Sequence, residues 1–403
     1  MSDSPQAKRP KLDEELASSQ NGSMSEGQDI DEGLYSRQLY VLGHEAMRKM
    51  GSSDVLICGM TGLGVEVAKN IVLAGVKSVT IQDNVKVKPA DLSCQFFIHE
   101  EDIDQQLSRA QASHARLCEL NSYVPVICYD GLLSDEFLNQ FDVIVMCDRP
   151  LEEVLGVSRC SHRHNKYLVV AETRGLFAHV FCDFGDNFKV VDTNGEEPLS
   201  IMVNHITRDK EGVVTCTDEA RHGLESGHKV TFSEIEGMVE LNGCEPREVK
   251  VLGPFTFSIG DTSDLSPYVR GGIAAQVKQP VIVNFKSLMD SNAEPEFVIS
   301  DFAKMDRSST LHIAFQAIHS FENPQSGNKD EDADAFIKMC HEKMENEYTF
   351  KVEKLDDDLL RHFSYNCAAQ LSPMTAFIGG ITAQETLKCS SVSFFLASFN
   401  WIH

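Results

Sequence analysis

The segment Val55-Leu56-Ile57-Cys58-Gly59-Met60-Thr61-Gly62-Leu63-Gly64 restricts the possible fold more than any other stretch of the chain. Four apolar residues read as a buried parallel strand, and Val65 to Leu73 carries a helical apolar pattern. A second apolar strand, Val79-Thr80-Ile81, ends at Asp83, about 20 positions beyond the glycines. That is the strand–turn–helix–strand order of a dinucleotide-binding unit. In G-x-G-x-x-G the first glycine makes the tight turn, the second lets backbone approach a phosphate, and the third lets helix pack on strand. Gly59 and Gly64 hold the first and third places, with Gly62 between them, but the second place is Thr61. The glycines that serve folding are present and the one that serves a ligand is not. The segment therefore predicts a Rossmann-like scaffold with a weakened nucleotide site, in which Asp83 caps the loop after the second strand rather than binding a ribose.

Alternation continues downstream. Strands are predicted at 54–58, 78–82, 124–128, 141–146 and 167–171, with helices at 63–75, 108–120 and 151–164. Strands alternating with helices imply a doubly wound, mainly parallel sheet. Before it, Leu34, Leu39, Val41, Leu42, Met47 and Met50 suggest an amphipathic helix with imperfect spacing. Near residue 184 the pattern changes to short strands, at 188–191, 212–215, 229–232, 249–252 and 255–259, with turns at Thr193-Asn194-Gly195 and Asn242-Gly243. Helices follow at 310–321, 334–347, 355–370 and 373–388, and Glu322 to Asp332 reads as a solvated loop. Pro373 after Ser372 marks a helix start, and Gly379-Gly380 suggests close packing against another backbone.

The expected fold class is thus α/β, a Rossmann-like doubly wound sheet with an inserted small β domain and a helical bundle. The expected divisions are a disordered tail at 1–29, the Rossmann-like fold at 30–183, a β domain at 184–284, the bundle at 285–365, a return helix at 366–389 and a divergent apolar tail at 390–403.

The formal net charge of -25 argues against nucleic acid as the main partner. Twelve cysteines without a C-x-x-C pair, no signal peptide and no long apolar run point to free thiols in a reducing compartment. Cys58, Cys128, Cys147 and Cys182 lie in or beside apolar segments and read as core residues. Cys160-Ser161-His162-Arg163-His164 has no second cluster at a zinc spacing, so no metal site is expected. Lys8-Arg9-Pro10-Lys11 is a basic cluster of nuclear-localisation type, and the expected compartments are cytoplasm and nucleus.

Several runs together resemble the N-terminal part of the ubiquitin-activating enzymes. They are Asp29 to Gly43 with its Tyr35-Ser36-Arg37-Gln38, Gly62 to Asn70, Glu119 to Val126, Thr173-Arg174-Gly175-Leu176-Phe177, Arg270-Gly271-Gly272-Ile273 and Phe377 to Glu385. The resemblance spans residues 29–389 in order. It implies a family that adenylates the ubiquitin C-terminus with ATP and Mg²⁺ and then captures ubiquitin as a cysteine thioester. It further implies that this chain carries the inactive of two adenylation folds, the first half-domain of the catalytic-cysteine region and a four-helix bundle. The active fold and the thioester cysteine are absent, and a truncated form is expected.

Active folds of the family carry an Asp-x-Asp pair and an Asn-Leu-Asn-Arg-Gln motif. Here these places read Asp83-Asn84-Val85 and Asp91-Leu92-Ser93-Cys94-Gln95, so a Mg²⁺ carboxylate and the catalytic arginine are missing. The resemblance gives Arg37 a role in trans, on ATP held by an active partner fold. No cofactor is expected on this chain alone. Expected partners are the active adenylation half and, weakly through the β domain, ubiquitin. The competing readings are a non-catalytic binding scaffold and a nicotinamide-dependent oxidoreductase. Thr61 argues against the last.

Overall fold

The computed structural model describes residues 30–191, 195–217, 221–296, 305–321, 328–346, 354–391 and 401–402. The expected N-terminal tail, the Lys8 cluster and the Thr193-Asn194 turn lie outside these residues.

Helix α1 (Glu32–Met50) leads into β1 (Asp54–Cys58), α2 (Gly62–Ala74), β2 (Ser78–Gln82), α3 (Glu100–Asp104), α4 (Arg109–Leu120) and β3 (Val126–Tyr129). Next come α5 (Asp135–Leu138), β4 (Val143–Cys147), α6 (Leu151–Arg163), β5 (Tyr167–Arg174) and β6 (Phe177–Asp183). Strands β1 to β5 pair in parallel in the order β3-β2-β1-β4-β5. The order reverses between β1 and β4, where ligands bind in open α/β sheets. Each inner strand is apolar on both faces because both are covered. Val55, Ile57, Val143 and Val145 face α2, α4 and α11 (Ser372–Ser391), while Leu56, Cys58, Ile144 and Met146 face α5 and α6.

Two features depart from the expected alternation. Strand β6 runs antiparallel to β5 through a tight turn at Gly175, which sits at φ 61° and whose amide donates to Ala369 O at 2.8 Å. Helix α1 is broken at Gly43 (φ 79°, ψ 165°), which shifts the register of the helix and explains the imperfect apolar spacing. Ala46, Met47 and Met50 after the break are buried, whereas Leu34, Tyr40 and Val41 before it are exposed.

Beyond β6, β7 (Phe188–Val190) pairs with β15 (Val281–Val283) as a two-stranded ribbon, not as part of the larger β sheet. Tyr167 packs edge-on against Phe184 and Phe188, and Phe285 edge-on against Phe188 and tilted against Phe184, where the chain leaves and returns. Between them β8 (Ser200–Ile206), β9 (Val213–Cys216), β10 (Lys229–Ser233), β11 (Arg247–Glu248), β12 (Lys250–Gly253), β13 (Thr256–Ser258) and β14 (Ile273–Val277) form an antiparallel sheet. One end of β8, Ser200 to Met202, pairs with β14, and the other, Val203 to Ile206, pairs with β9 with an irregularity between Val203 and His205. The sheet thereby curls around one core that includes Val214, Val230, Phe232, Phe257 and Ala274.

Helix α7 (Leu288–Ala293) sends Leu288 into the core beneath α6. Helices α8 (Met305–Ile318), α9 (Lys329–Asn346) and α10 (Asp357–Asn366) share a core of Ile313, Phe315, Phe336, Leu360 and Phe363. Residues 322–327 of the expected loop at 322–332 lie outside the described residues, and its last four residues belong to α9, which starts at Lys329. Asn328 Oδ1 accepts from Asp330 N at 3.2 Å, and Asp330, Glu331 and Asp332 suit the positive helix start. In α11, a Cβ at Gly379 would lie 2.6 Å from Glu66 Cβ of α2, whereas one at Gly380 would meet nothing within 4 Å. Close helix packing explains the first glycine and not the second. Ser372 does not cap α11 with its side chain; its hydroxyl donates to Ser93 O at 3.2 Å and ties α11 to the segment before α3. Trp401–Ile402 of the apolar tail pairs antiparallel with β6 as β16, opposite Val180 and His179.

Candidate functional site at the turn after the first strand

The turn between β1 and α2 lies at the switch point of the sheet and is filled by its own chain. Gly59 has φ 91°, and a Cβ there would lie 2.0 Å from Cys147 O. A Cβ on Gly64 would lie 1.8 Å from Gly59 O. These two glycines let α2 sit directly on the ends of β1 and β4. Gly62 faces Cys94, whose Cβ would lie 2.8 Å from an added Cβ. Met60, Thr61, Gly62 and Gly64 are all buried.

Thr61 is the N-cap of α2. Its Oγ1 accepts from Gly64 N at 3.5 Å and donates to Asp148 Oδ2 at 2.7 Å. Asp148, at φ 48°, also accepts from Thr173 N at 2.9 Å. Burial raises the Asp148 carboxyl to about 6, against the opposing hydrogen bonds from Thr61 and Thr173.

Asp83 is fully buried and points into the turn. Its Oδ2 accepts from Met60 N at 2.8 Å and its Oδ1 from Val85 N at 2.9 Å. Arg109 and Arg149 flank it, each 3.7 Å away. Arg109 also donates to Asp91 at 2.8 Å, and Arg149 forks onto Glu153 at 2.7 and 2.8 Å. Cations therefore stand at the turn, but carboxylates of the same chain hold them. Gln95 Nε2 donates to Ser113 Oγ at 2.7 Å and to Met60 O at 3.3 Å, which fastens the segment carrying Cys94. Gln82 Oε1 and Arg109 Nε are the buried side-chain polar atoms without a hydrogen-bond partner among the described residues. The residues present do not fit a nucleotide with Mg²⁺. Thr61 and Cys94 pack into the turn, and the one carboxylate of the Asp83-Asn84-Val85 run is turned inward onto Met60 N.

The structure brings Gly59, Gly62, Gly64 and Asp83 together and sets Arg37 apart. Arg37 lies on the exposed face of α1, before the Gly43 break, with no hydrogen bond or ion pair among the described residues. Asp148, Arg149 and Arg109 escaped the sequence reading. A signal existed for the first two: Cys147-Asp148-Arg149 stands at the carboxyl end of β4, beside the switch point.

A second polar cluster joins the sheet to α8. Glu172 Oε2 lies 3.0 Å from His319 Nε2, and Arg174 Nε donates to Glu172 Oε1 at 2.6 Å. Burial pushes Glu172 up, but His319 and Arg174 outweigh it and hold the carboxyl below its usual range. Burial and then His312 push His179 down to about 4. Among the thiols, Cys58, Cys147 and Cys182 are buried as expected, whereas Cys128 on the edge strand β3 is half-buried. Cys160 Sγ sits 3.6 Å from His164 Nδ1, while His162 faces Asp183 at 2.9 Å. No group of three metal-ligating side chains is assembled among the described residues.

A family model described as the ubiquitin-activating enzyme E1 FCCH domain matches residues 209–278, which lie in the curled antiparallel sheet. One described as the ubiquitin-activating enzyme E1 four-helix bundle matches residues 279–343, from β15 into α9. The ubiquitin-like modifier-activating enzyme 1 of Homo sapiens is 52% identical over 388 residues, 95% of this chain and 36% of its own length. The ubiquitin-activating enzyme E1 1 of Schizosaccharomyces pombe is 46% identical over 385 residues, 94% of this chain and 37% of its own. Among solved structures, E. coli MccB with MccA-N7isoASN matches at TM-score 0.35 and 20% identity, over 42% of this chain and 53% of that one. The chain spans a little over a third of the length of the curated relatives it matches, and over that span it belongs to the ubiquitin-activating enzyme family.

Proposed function

We propose that this chain serves ubiquitin activation as a non-catalytic adenylation fold. It provides a scaffold and one cation, Arg37, to ATP and Mg²⁺ held by a separate active fold. It forms neither ubiquitin adenylate nor thioester by itself. The observation that carries this reading is the contrast between two sites. The turn after β1 is filled by Thr61, Cys94 and the inward Asp83, while Arg37 is exposed on α1 without a partner among the described residues. A guanidinium offered across an interface stabilises phosphate charge as it develops. No helix among the described residues is long and apolar enough to cross a membrane, and we place the chain in cytoplasm and nucleus.

ATP–pyrophosphate exchange with ubiquitin tests the first half of the proposal: the chain alone is expected to match a no-enzyme control. Arg37→Ala in a longer enzyme carrying this chain's residues tests the second. Adenylation is expected to fall by about 10²–10³ with unchanged melting; an unchanged rate leaves Arg37 a surface residue.

A second reading, a ubiquitin-binding scaffold, is favoured by the exposed Met202, Val239 and Val269 around the antiparallel sheet. Titrating ubiquitin into this chain decides it, since Met202→Lys is expected to weaken any binding that uses this surface.

A further inference from the structure

The first part of α1 has two faces. Leu34, Arg37, Tyr40 and Val41 look outward, with Leu34, Tyr40 and Val41 exposed by 53%, 93% and 65%. Tyr35, Gln38, Leu39 and Leu42 are half-buried on the other side. Helical spacing puts the two sets on opposite sides of one cylinder, so the seating of Tyr35 dictates where Arg37 points.

That seat is built by two other elements. Gly75, the left-handed C-cap of α2 at φ 84°, has no side chain, and a Cβ there would lie 2.7 Å from Tyr35 Oη and 2.8 Å from its Cζ. Asn121, at the C-terminus of α4, donates from Nδ2 to Tyr35 Oη and to Val72 O, each at 3.0 Å. The Asn121 amide is itself held, because its Oδ1 accepts from Tyr123 N at 3.1 Å. Gln38 Nε2 adds a longer bond to Ala74 O at 3.4 Å. Meanwhile the break at Gly43 uncouples this part of α1 from the buried Ala46, Met47 and Met50. Its direction is therefore set locally, at the ends of α2 and α4, and not by the rest of its own helix.

We propose that Tyr35, seated on Gly75 and held by Asn121, is a latch that aims Arg37, so that Tyr35 and Asn121 are positioning residues for adenylation on the partner fold. This rests on the trans role of Arg37 proposed above. It assigns work to residues that never touch ATP.

Two measurements test it, on this chain and on a longer enzyme that carries its residues. In this chain, Tyr35→Phe removes one hydrogen-bond acceptor and Tyr35→Ala empties the seat. Hydrogen exchange of amides 32–42 is expected to accelerate about fivefold in the first and more in the second, with β1 and α2 unchanged. In the longer enzyme, Tyr35→Ala is expected to lower the maximal rate of ATP–pyrophosphate exchange about tenfold or more, without raising the KM for ubiquitin. The deciding comparison is the double variant. In an Arg37→Ala background Tyr35→Ala is expected to cost nothing further, because its effect runs through the guanidinium. A full, additive loss in that background overturns the latch and makes Tyr35 a structural residue only. Unchanged exchange of amides 32–42 in Tyr35→Ala overturns it as well. Arg37→Ala separates the two proposals: if it alone has no effect, the trans role has failed and the latch has no function, whatever the amides show.

Discussion

Asp148, half-buried, and His179, buried, are groups whose protonation pulls stability in opposite directions. The folded Asp148 carboxyl, raised to about 6, holds its proton where the unfolded one has lost it. Its contribution to stability is full at low pH and lost as pH rises from about 4 to 6. The folded His179 ring, lowered to about 4, stays neutral where the unfolded one is charged, so its share of stability grows over about pH 4 to 6.5. Asp148→Asn is therefore expected to gain stability relative to the parent as pH rises from about 4 to 6. The gain is up to about 3 kcal/mol, less as solvent reaches the partly buried carboxyl. His179→Phe should drift the other way. Urea midpoints at half-unit pH steps check both, and parallel curves would contradict them. Thr61→Gly removes the α2 cap and a donor to Asp148, for a loss of roughly 1–2 kcal/mol. It should not create an ATP site, since Cys94 and the inward Asp83 stay in place. Micromolar ATP affinity by calorimetry would overturn that expectation.

At the scale of elements, the two glycines of α11 separate packing from propensity. Gly379→Ala forces a Cβ to within 2.6 Å of Glu66 Cβ and is expected to cost about 1–3 kcal/mol. Gly380→Ala meets open space on a helix and is expected to stabilise by about 0.5–1 kcal/mol. Thermal melts of the two variants should move in opposite directions. Elements with strong local signals were legible. The strands 54–58 and 78–82 lie where the apolar runs put them, and α2, α4 and α6 lie within a residue or two of their expected bounds. The antiparallel turn into β6 was not legible, because Phe177 to Asp183 has the same apolar content as a parallel strand and only Gly175 marks the reversal. Nor was the pairing of β7 with β15, which joins segments about 90 residues apart.

The molecule as a whole leaves Leu34, Tyr40, Val41, Leu73 and Phe377 exposed on α1, α2 and α11, which pack together on one side of the parallel sheet. Exposed apolar surface of this kind marks an interface or an association hazard. Light scattering at concentrations on the order of tens of micromolar is expected to show self-association, and Val41→Lys with Phe377→Lys to reduce it. A monodisperse monomer in the parent chain would count against that expectation.

By itself the sequence determined the Rossmann-like unit, because apolar runs, glycine spacing and helical periodicity are local properties that any fold of this chain must satisfy. It also determined that Thr61 stands where a phosphate turn needs glycine. Only the tertiary structure decided what fills that turn. Asp83 is far along the chain from its partners Arg109 and Arg149, as Thr61 is from Asp148, and these pairings depend on which strand ends meet at the switch point. The position of Arg37 is equally non-local. It follows from a tyrosine two residues earlier that finds a glycine and an asparagine at the ends of two other helices.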